Sequence, residues 1–121
     1  MFTSIDITKK ALDASMLRYQ HLVNNVANVD TVGYKRTDVE FGSILAKELR
    51  SHKKPSDINL STLTPRIYYD DAGARTRLDG NNIDIDKEMS KLSQEKLRYD
   101  ALIQRASAQL QRYKNIFQQI Q

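Results

Sequence analysis

The sequence predicts a mainly α fold. Long N-terminal and C-terminal heptad helices pack as a coiled coil, with an irregular, partly disordered or short-stranded middle between them. Apolar residues recur at alternating spacings of three and four near both ends of the chain, which predicts the two helices. About forty residues between them follow neither the helical nor the strand period. At 121 residues the chain forms one structural domain with segments 1–28, 29–41, 42–82 and 83–121.

The first segment predicts a helix over roughly residues 4–28. Ser4 is the expected N-cap, and Asp6 follows in the first turn, where a carboxylate faces the positive end of the helix dipole. Lys9 interrupts the apolar register once. The side chains expected to form the coiled-coil seam on this helix are Leu12, Met16, Tyr19, Val23 and Val26.

The last segment predicts a longer helix over about 86–120, with Asp84 or Asp86 as its cap. Its carboxylates lie in the first half and its last charges are basic, which suits the helix dipole. Lys96 is the one polar residue of the stripe, which is long enough to require a coiled-coil partner. The apolar positions of this stripe are Met89, Leu92, Tyr99, Ile103, Ala106, Leu110, Tyr113, Phe117 and Ile120.

The middle, residues 42–82, is predicted to be an irregular arm. "RSHKKPSDINLST" is polar and contains Pro55, while "DDAGARTRLDGNN" is rich in turn-forming residues. "RIYY" is compatible with a short strand. A structureless loop of this length is unusual inside a compact domain, so we expect an extended molecule whose burial is completed by neighbouring subunits.

Composition limits the classes of protein to which the chain can belong. The net charge is +4, but no block of like charges occurs, so a nucleic-acid footprint has little support. The absence of cysteine excludes disulfides and thiol chemistry. The N-terminus lacks the basic and apolar regions of a Sec-type signal peptide, and no stretch has the length of a membrane span.

The residues needed for catalysis or metal binding are sparse. His21 has no carboxylate or cysteine at metal-ligand spacing, and His52 lies in the polar stretch "SHKKPS". Asp70 and Asp71 are adjacent carboxylates in a turn, which usually face solvent, and no phosphate-binding glycine pattern occurs. We therefore predict no catalytic site, no metal, no cofactor and no small-molecule substrate.

The stretch "NNVANVDTVGYKR", residues 24–36, follows the first helix and contains three asparagines, which are poor helix formers. It resembles the asparagine-rich signature of the bacterial flagellar axial proteins, the rod and hook family. Two further stretches, "KRTDVEF" and the C-terminal "DGNNIDIDKEMSKLSQEKLRYDAL", resemble the small proximal rod members of that family. One departure is Val32, where the family usually has proline. The asparagine signature comprises Asn24, Asn25, Ala27, Asn28, Thr31, Gly33, Tyr34 and Lys35.

The resemblance implies a structural subunit of the proximal flagellar rod rather than an enzyme. Such subunits are exported without cleavage through the flagellar type III export apparatus, and their paired terminal helices polymerise to form the inner layer of a torque-transmitting tube. The implied partners are other rod subunits, copies of the chain itself, the adaptor between membrane ring and rod, and the export apparatus. The implied location is the basal-body rod that spans the periplasm.

Two shorter features add expectations. Phe41 and Leu45, in "FGSIL", resemble a short hydrophobic motif that is read at the export gate; alternatively, both simply contact a neighbouring element. The asparagine amides are expected to bond the carbonyls at the helix end and the returning backbone, which makes residues 29–41 a rigid elbow. A frayed helix end is the alternative. Lys35 and Arg36 are expected to face a neighbouring subunit or solvent.

Two other functions stay open at this point. A free-standing coiled-coil adaptor without a flagellar role would require the asparagine signature to be accidental. A basic nucleic-acid binder would show affinity that falls steeply with salt.

Overall fold

The computed structural model describes residues 3–51, 54–70 and 84–120. Long terminal helices and a short middle that contains a small sheet confirm the predicted mainly α class. The predicted turns within 71–83 and the side chain of His52 lie outside the described residues. The elements, in chain order, are α1 (Thr3–Ala27), β1 (Thr37–Glu40), α2 (Gly42–Ser51), two 3-10 turns (Pro55–Asp57 and Leu60–Thr62), β2 (Arg66–Tyr69) and α3 (Ile85–Ile120).

The two long helices pack side by side and run antiparallel. Side-chain hydrogen bonds fix their register: Gln109 donates to the Ser4 hydroxyl, Arg18 to Glu95 and Asn25 to Glu88. In each of these pairs the two residue numbers add to 113, so the register is constant along the pair. Since α1 begins at Thr3, the last turns of α3 extend past its start.

The face of α1 that is buried within the chain is small and polar. Thr8, Ser15, Leu22 and Asn25 are buried at heptad-compatible spacings, together with Ala14. On α3 the buried positions are Glu88 and Glu95, one heptad apart. Small side chains let the two backbones approach closely, and the carboxylates are buried because cations meet them.

The larger apolar residues of the predicted stripes flank this buried face. On α1, Leu12, Tyr19 and Val26 are half-buried, whereas Met16 and Val23 are exposed. The role of both stripes in packing between subunits stays a prediction. On α3 the half-buried members are Leu92, Tyr99, Ala106 and Tyr113, and the exposed members are Met89, Ile103, Leu110, Phe117 and Ile120.

The ends of the helices agree in part with the sequence-based expectation. The Asp84 carboxylate accepts hydrogen bonds from the backbone N–H groups of Asp86 and Lys87, so Asp84 is the N-cap of α3. Ser4, by contrast, lies inside α1 and not before it. Its hydroxyl accepts a hydrogen bond from Gln109 at 2.8 Å and its carbonyl accepts one from Thr8, so it joins the helices instead of capping one.

The middle of the chain is more ordered than its composition suggests. "RIYY" forms strand β2, which pairs antiparallel with β1 so that Thr37 lies opposite Tyr69 and Glu40 opposite Arg66. Helix α2 begins at Gly42, within the arm that was expected to be irregular. Its apolar pattern is too short to stand out, and none of its residues is buried. Between the strands, Ile58 and Leu63 are buried, and the turn at Pro55–Asp57 contacts α1.

Candidate functional site: the elbow and its buried charge network

Helix α1 ends at Ala27, just before the elbow of residues 29–41. The Asn28 side-chain amide donates to the carbonyl of Asn24 at 2.8 Å, and the Asn28 backbone N–H donates to the same carbonyl at 3.1 Å, so Asn28 closes the last turn of the helix with two bonds. The Asn28 side-chain oxygen accepts from the Thr31 hydroxyl at 3.1 Å. The Tyr34 N–H then bonds to the Thr31 carbonyl across a tight turn in which Gly33 has a φ of 77°. A positive φ at the third position is typical of a type II turn and favours glycine.

Replacing Gly33 by alanine is expected to lower the free energy of unfolding by about 1–2 kcal/mol, because a Cβ disfavours the left-handed conformation. A Cβ at Gly33 would meet no atom within 4 Å, so the penalty comes from the backbone alone. Gly42→Ala is the matched control: its added Cβ also meets nothing, and its φ is not positive. Urea denaturation of both variants measures the difference, and equal stability of the two would contradict this account.

Asn25 fixes the chain where it returns from the elbow. Its amide nitrogen donates to the Thr37 carbonyl at 2.8 Å, and its amide oxygen accepts from the Thr37 N–H at 3.1 Å. A fully buried side chain therefore pairs with both backbone groups of one strand residue, as a neighbouring strand would. His21 Nδ1 lies 2.8 Å from the Thr37 hydroxyl, which adds a third bond between α1 and the start of β1.

Arg36 lies at the centre of a buried charge network. It is 4% exposed, and its guanidinium donates to Glu88 on α3, to Asp70 just after β2 and, at 3.1 Å, to Asp38 on β1. Asn25 also approaches Glu88, at 3.4 Å. The expectation that Arg36 faces solvent or a neighbouring subunit is therefore wrong. The planar guanidinium can bond several carboxylates at once, which makes burial of this cation feasible.

Arg18 extends the network along the two helices. Its Nε donates to Asp38 and its Nη1 to Glu95, both at 2.9 Å. Glu95 is 1% exposed and is also reached by Arg98 at 3.2 Å. Arg36 therefore joins β1 to α3. Arg18, which lies on α1, joins the same two elements to that helix. The network fixes the sheet against both helices at one register.

Two opposing effects set the pKa values in this network. Burial alone would lower the pKa of Arg18 and of Arg36, but hydrogen bonds and the charges of their carboxylate partners outweigh it and raise both. Burial alone would raise the pKa of Asp38, but hydrogen bonds from Arg18, the Val39 N–H and Arg36 outweigh it and lower the pKa. All three groups therefore keep their charge at neutral pH.

The lowered pKa of Asp38 predicts a loss of stability in acid. The contribution of Asp38 is fully present above the ordinary aspartate pKa of about 3.9, and it is lost as the pH falls through the lower value of the folded state. Urea midpoints measured between neutral pH and about pH 2 should therefore fall in the acid range. Asp38→Asn should be less stable at pH 7 and show a shallower fall. If the urea midpoint of Asp38→Asn falls with pH as steeply as that of the unsubstituted chain, Asp38 is not a source of the loss of stability in acid.

Several known proteins with related sequences share one description. The chain is 28% identical over 119 residues to the flagellar basal body rod protein FlgB of Bacillus subtilis, which covers 93% of the chain and 92% of that protein. The FlgB protein of Borrelia hermsii is 32% identical over 110 residues, covering 79% of the chain and 82% of that protein. FlgB of Escherichia coli is 27% identical over 124 residues.

The chain belongs to the FlgB family of flagellar basal body rod proteins. Each relative aligns over most of its own length, so the likeness includes the middle of the chain as well as the two terminal helices. No family model matches the chain.

The sequence patterns indicate the family but not the charge network. In this FlgB-family chain the asparagine signature places Asn25 and Asn28 at the elbow, whereas the Asn24 side chain is exposed. Two signals could have indicated the network: Glu88 and Glu95 are polar residues one heptad apart beside the apolar stripe, and Arg36 directly follows the signature.

Phe41 and Leu45 lie together, away from the elbow turn. Both line an open cleft of about 460 Å³ between α1, β1, α2 and α3, together with Ala11, Ala14 and Leu102. Each is only half-buried, and their role in export stays a prediction. Their place in the fold means that an unfolded chain presents them more openly than the folded chain does.

Of the remaining members of the signature, Tyr34 is half-buried and the others are exposed. Gly33, Tyr34 and Lys35 line a shallow depression with Thr37 and Tyr69, and Lys35 is exposed. Within residues 3–51, 54–70 and 84–120, no group of three or more histidine or acidic side chains is arranged to hold a metal ion. In the same ranges, no helix combines the length and apolar character of a membrane span.

Proposed function

We propose that the chain is a structural subunit of the proximal rod of the flagellar basal body, which polymerises through its terminal helices and transmits torque. The observation that carries the proposal is the relation to FlgB rod proteins over most of the chain and most of each relative. The subunit acts through packing and needs no catalytic group, cofactor or nucleic acid.

The distribution of apolar surface supports a role in assembly. Met16 and Val23 on α1 and Met89, Ile103 and Leu110 on α3 are between 37% and 58% exposed. They belong to heptad stripes that flank the seam within the chain, so packing neighbouring helices on these stripes would bury them. The elbow and its charge network then hold β1 and β2 at a fixed angle to the helical core.

We further propose that the chain leaves the cytoplasm uncleaved through the flagellar type III export apparatus and joins the rod that spans the periplasm. Its neighbours there are other rod subunits and the adaptor that links the rod to the membrane ring. Phe41 and Leu45 are the candidate export signal. Phe41→Ser should reduce the amount of chain in isolated basal bodies while the cytoplasmic pool rises. Leu49→Ser, at an exposed position on the adjacent helix α2, is the control.

Deletion of the gene tests the main proposal. Electron microscopy of basal bodies from the deletion strain should show the membrane ring without a rod, and a plasmid copy should restore the rod. Normal filaments in the deletion strain would overturn the proposal.

A free-standing coiled-coil adaptor is the second candidate. It fits the exposed stripes but leaves the relation to FlgB proteins unexplained. A cysteine at Lys35, an exposed side chain of the elbow, discriminates between the two. In a rod subunit it should cross-link to axial neighbours in basal bodies, and in an adaptor it should not.

A further inference from the structure

Strand β2 has one edge that no described element covers. The Asp70 N–H donates to the Arg36 carbonyl at 3.0 Å, so these two residues lie at a hydrogen-bonded position of the strand pair. In an antiparallel pair the bonded and non-bonded positions alternate. The backbone groups of Tyr68 therefore face β1, whereas those of Ile67 and Tyr69 point away from it. On that outer side, neither Ile67 nor Tyr69 has a backbone partner within the described part of the chain.

The outer edge of β1, by contrast, is closed by side chains. Thr37 lies at an outward position of β1, and Asn25 pairs with both of its backbone groups. The next outward position is Val39, whose N–H donates to the Asp38 carboxylate at 2.7 Å. Helix α1 also packs against β1. A further strand can therefore join this sheet at β2 but not at β1.

The outer edge of β2 is self-complementary. When two copies of β2 pair antiparallel with Tyr68 opposite itself, Ile67 lies opposite Tyr69 of the second copy. The N–H and C=O groups of these two residues then face each other, and a β-branched side chain opposite an aromatic one is a favourable pair. Arg66 lies opposite Asp70 of the second copy, so unlike charges face each other at both ends. Ile67 and Tyr69 are 53% and 70% exposed, and pairing would cover them in part.

We propose that two copies of the free chain associate through their β2 edges and form a continuous antiparallel sheet in the order β1–β2–β2–β1. Such a pair is isologous and closes on itself, since each copy occupies the open edge of the other. This association goes beyond the proposed function, because a rod grows through contacts that repeat from subunit to subunit. The pair is therefore a state of the chain before assembly, and it covers an edge that would otherwise template aggregation.

Paired substitutions test the proposal in the purified chain. Ile67→Lys with Tyr69→Lys places like charges opposite one another at the edge, which disfavours pairing. Leu49→Lys with Leu97→Lys is the matched control, because these residues lie on α2 and α3 and are 48% and 70% exposed. In sedimentation equilibrium the unsubstituted chain and the control should form the dimer, and the edge variant should be monomeric. Circular dichroism should show the same helix content in all three.

Cysteine substitutions test the register, since the chain has no cysteine of its own. Opposed Cα atoms at a hydrogen-bonded position lie about 5.5 Å apart, a distance that a disulfide can span. A mixture of the Ile67→Cys chain and the Tyr69→Cys chain should therefore oxidise to a mixed disulfide dimer. Either chain alone should link much less, because its two cysteines are offset by two residues, about 7 Å along the strand.

The proposal is overturned if the unsubstituted chain is monomeric at every concentration, or if the edge pair leaves the dimer intact. It is also overturned if the control pair abolishes the dimer as completely as the edge pair does, which would assign association to the helices. Links that form as readily in either cysteine chain alone as in the mixture would exclude this register. Loss of the rod on gene deletion is independent of these results, so the proposed function can hold when the β2 pair fails.

Discussion

Replacing Arg36 by methionine is expected to lower the free energy of unfolding by about 3–5 kcal/mol, the usual cost of removing one partner from a buried ion pair. Arg36 is buried, and its guanidinium donates to Glu88, Asp38 and Asp70. Methionine keeps an apolar stem but leaves Glu88, which is 2% exposed, without this cation. Urea denaturation at neutral pH followed by circular dichroism measures the loss.

Lys35→Met is the matched control for this experiment, since Lys35 is adjacent in the chain and exposed. It should change the free energy of unfolding by no more than about 0.5 kcal/mol. Adding Glu88→Gln to Arg36→Met should recover part of the loss, because the unpaired charge is then removed. Equal effects of Arg36→Met and Lys35→Met on the free energy of unfolding would show that the network does not stabilise the fold.

Asn25→Ala is expected to cost about 1–3 kcal/mol, because it leaves the Thr37 N–H and carbonyl without their side-chain partner and opens space at a buried position. Asn25 is fully buried and makes both bonds with near-ideal distances. Hydrogen exchange of the Thr37 amide should accelerate in this variant by more than global unfolding explains.

Asn24→Ala provides the comparison within the same signature. The Asn24 side chain is exposed, so its loss should leave both stability and the Thr37 exchange rate nearly unchanged. If Asn24→Ala impairs rod assembly without lowering stability, Asn24 acts between subunits.

Asn28→Leu should impair assembly more than it lowers helix content, because the Asn28 amide that is lost closes the helix end at Asn24 and orients the turn at Thr31.

The asparagine signature and the strands show which features of the fold a local sequence pattern can predict. Gly33 is a member of the signature, and it adopts the positive φ that favours glycine at the third position of a type II turn. Strand β2 was visible as "RIYY" because its β-branched and aromatic residues have strong strand preference. Strand β1, "TDVE", was not visible, since one of its two buried residues is Asp38. An aspartate signals a buried strand only when the arginines that neutralise it are known.

The sequence by itself determined the two long helices and the family, because periodic spacing and a contiguous signature are local properties of the chain. The tertiary structure decided which face of each helix is buried, that Arg36 points inward, and that Glu88 and Glu95 lie in the seam. Those outcomes depend on charges that are distant in sequence and meet only after folding. A buried carboxylate is unfavourable alone and acceptable when paired, so no local pattern of apolar residues can reveal it.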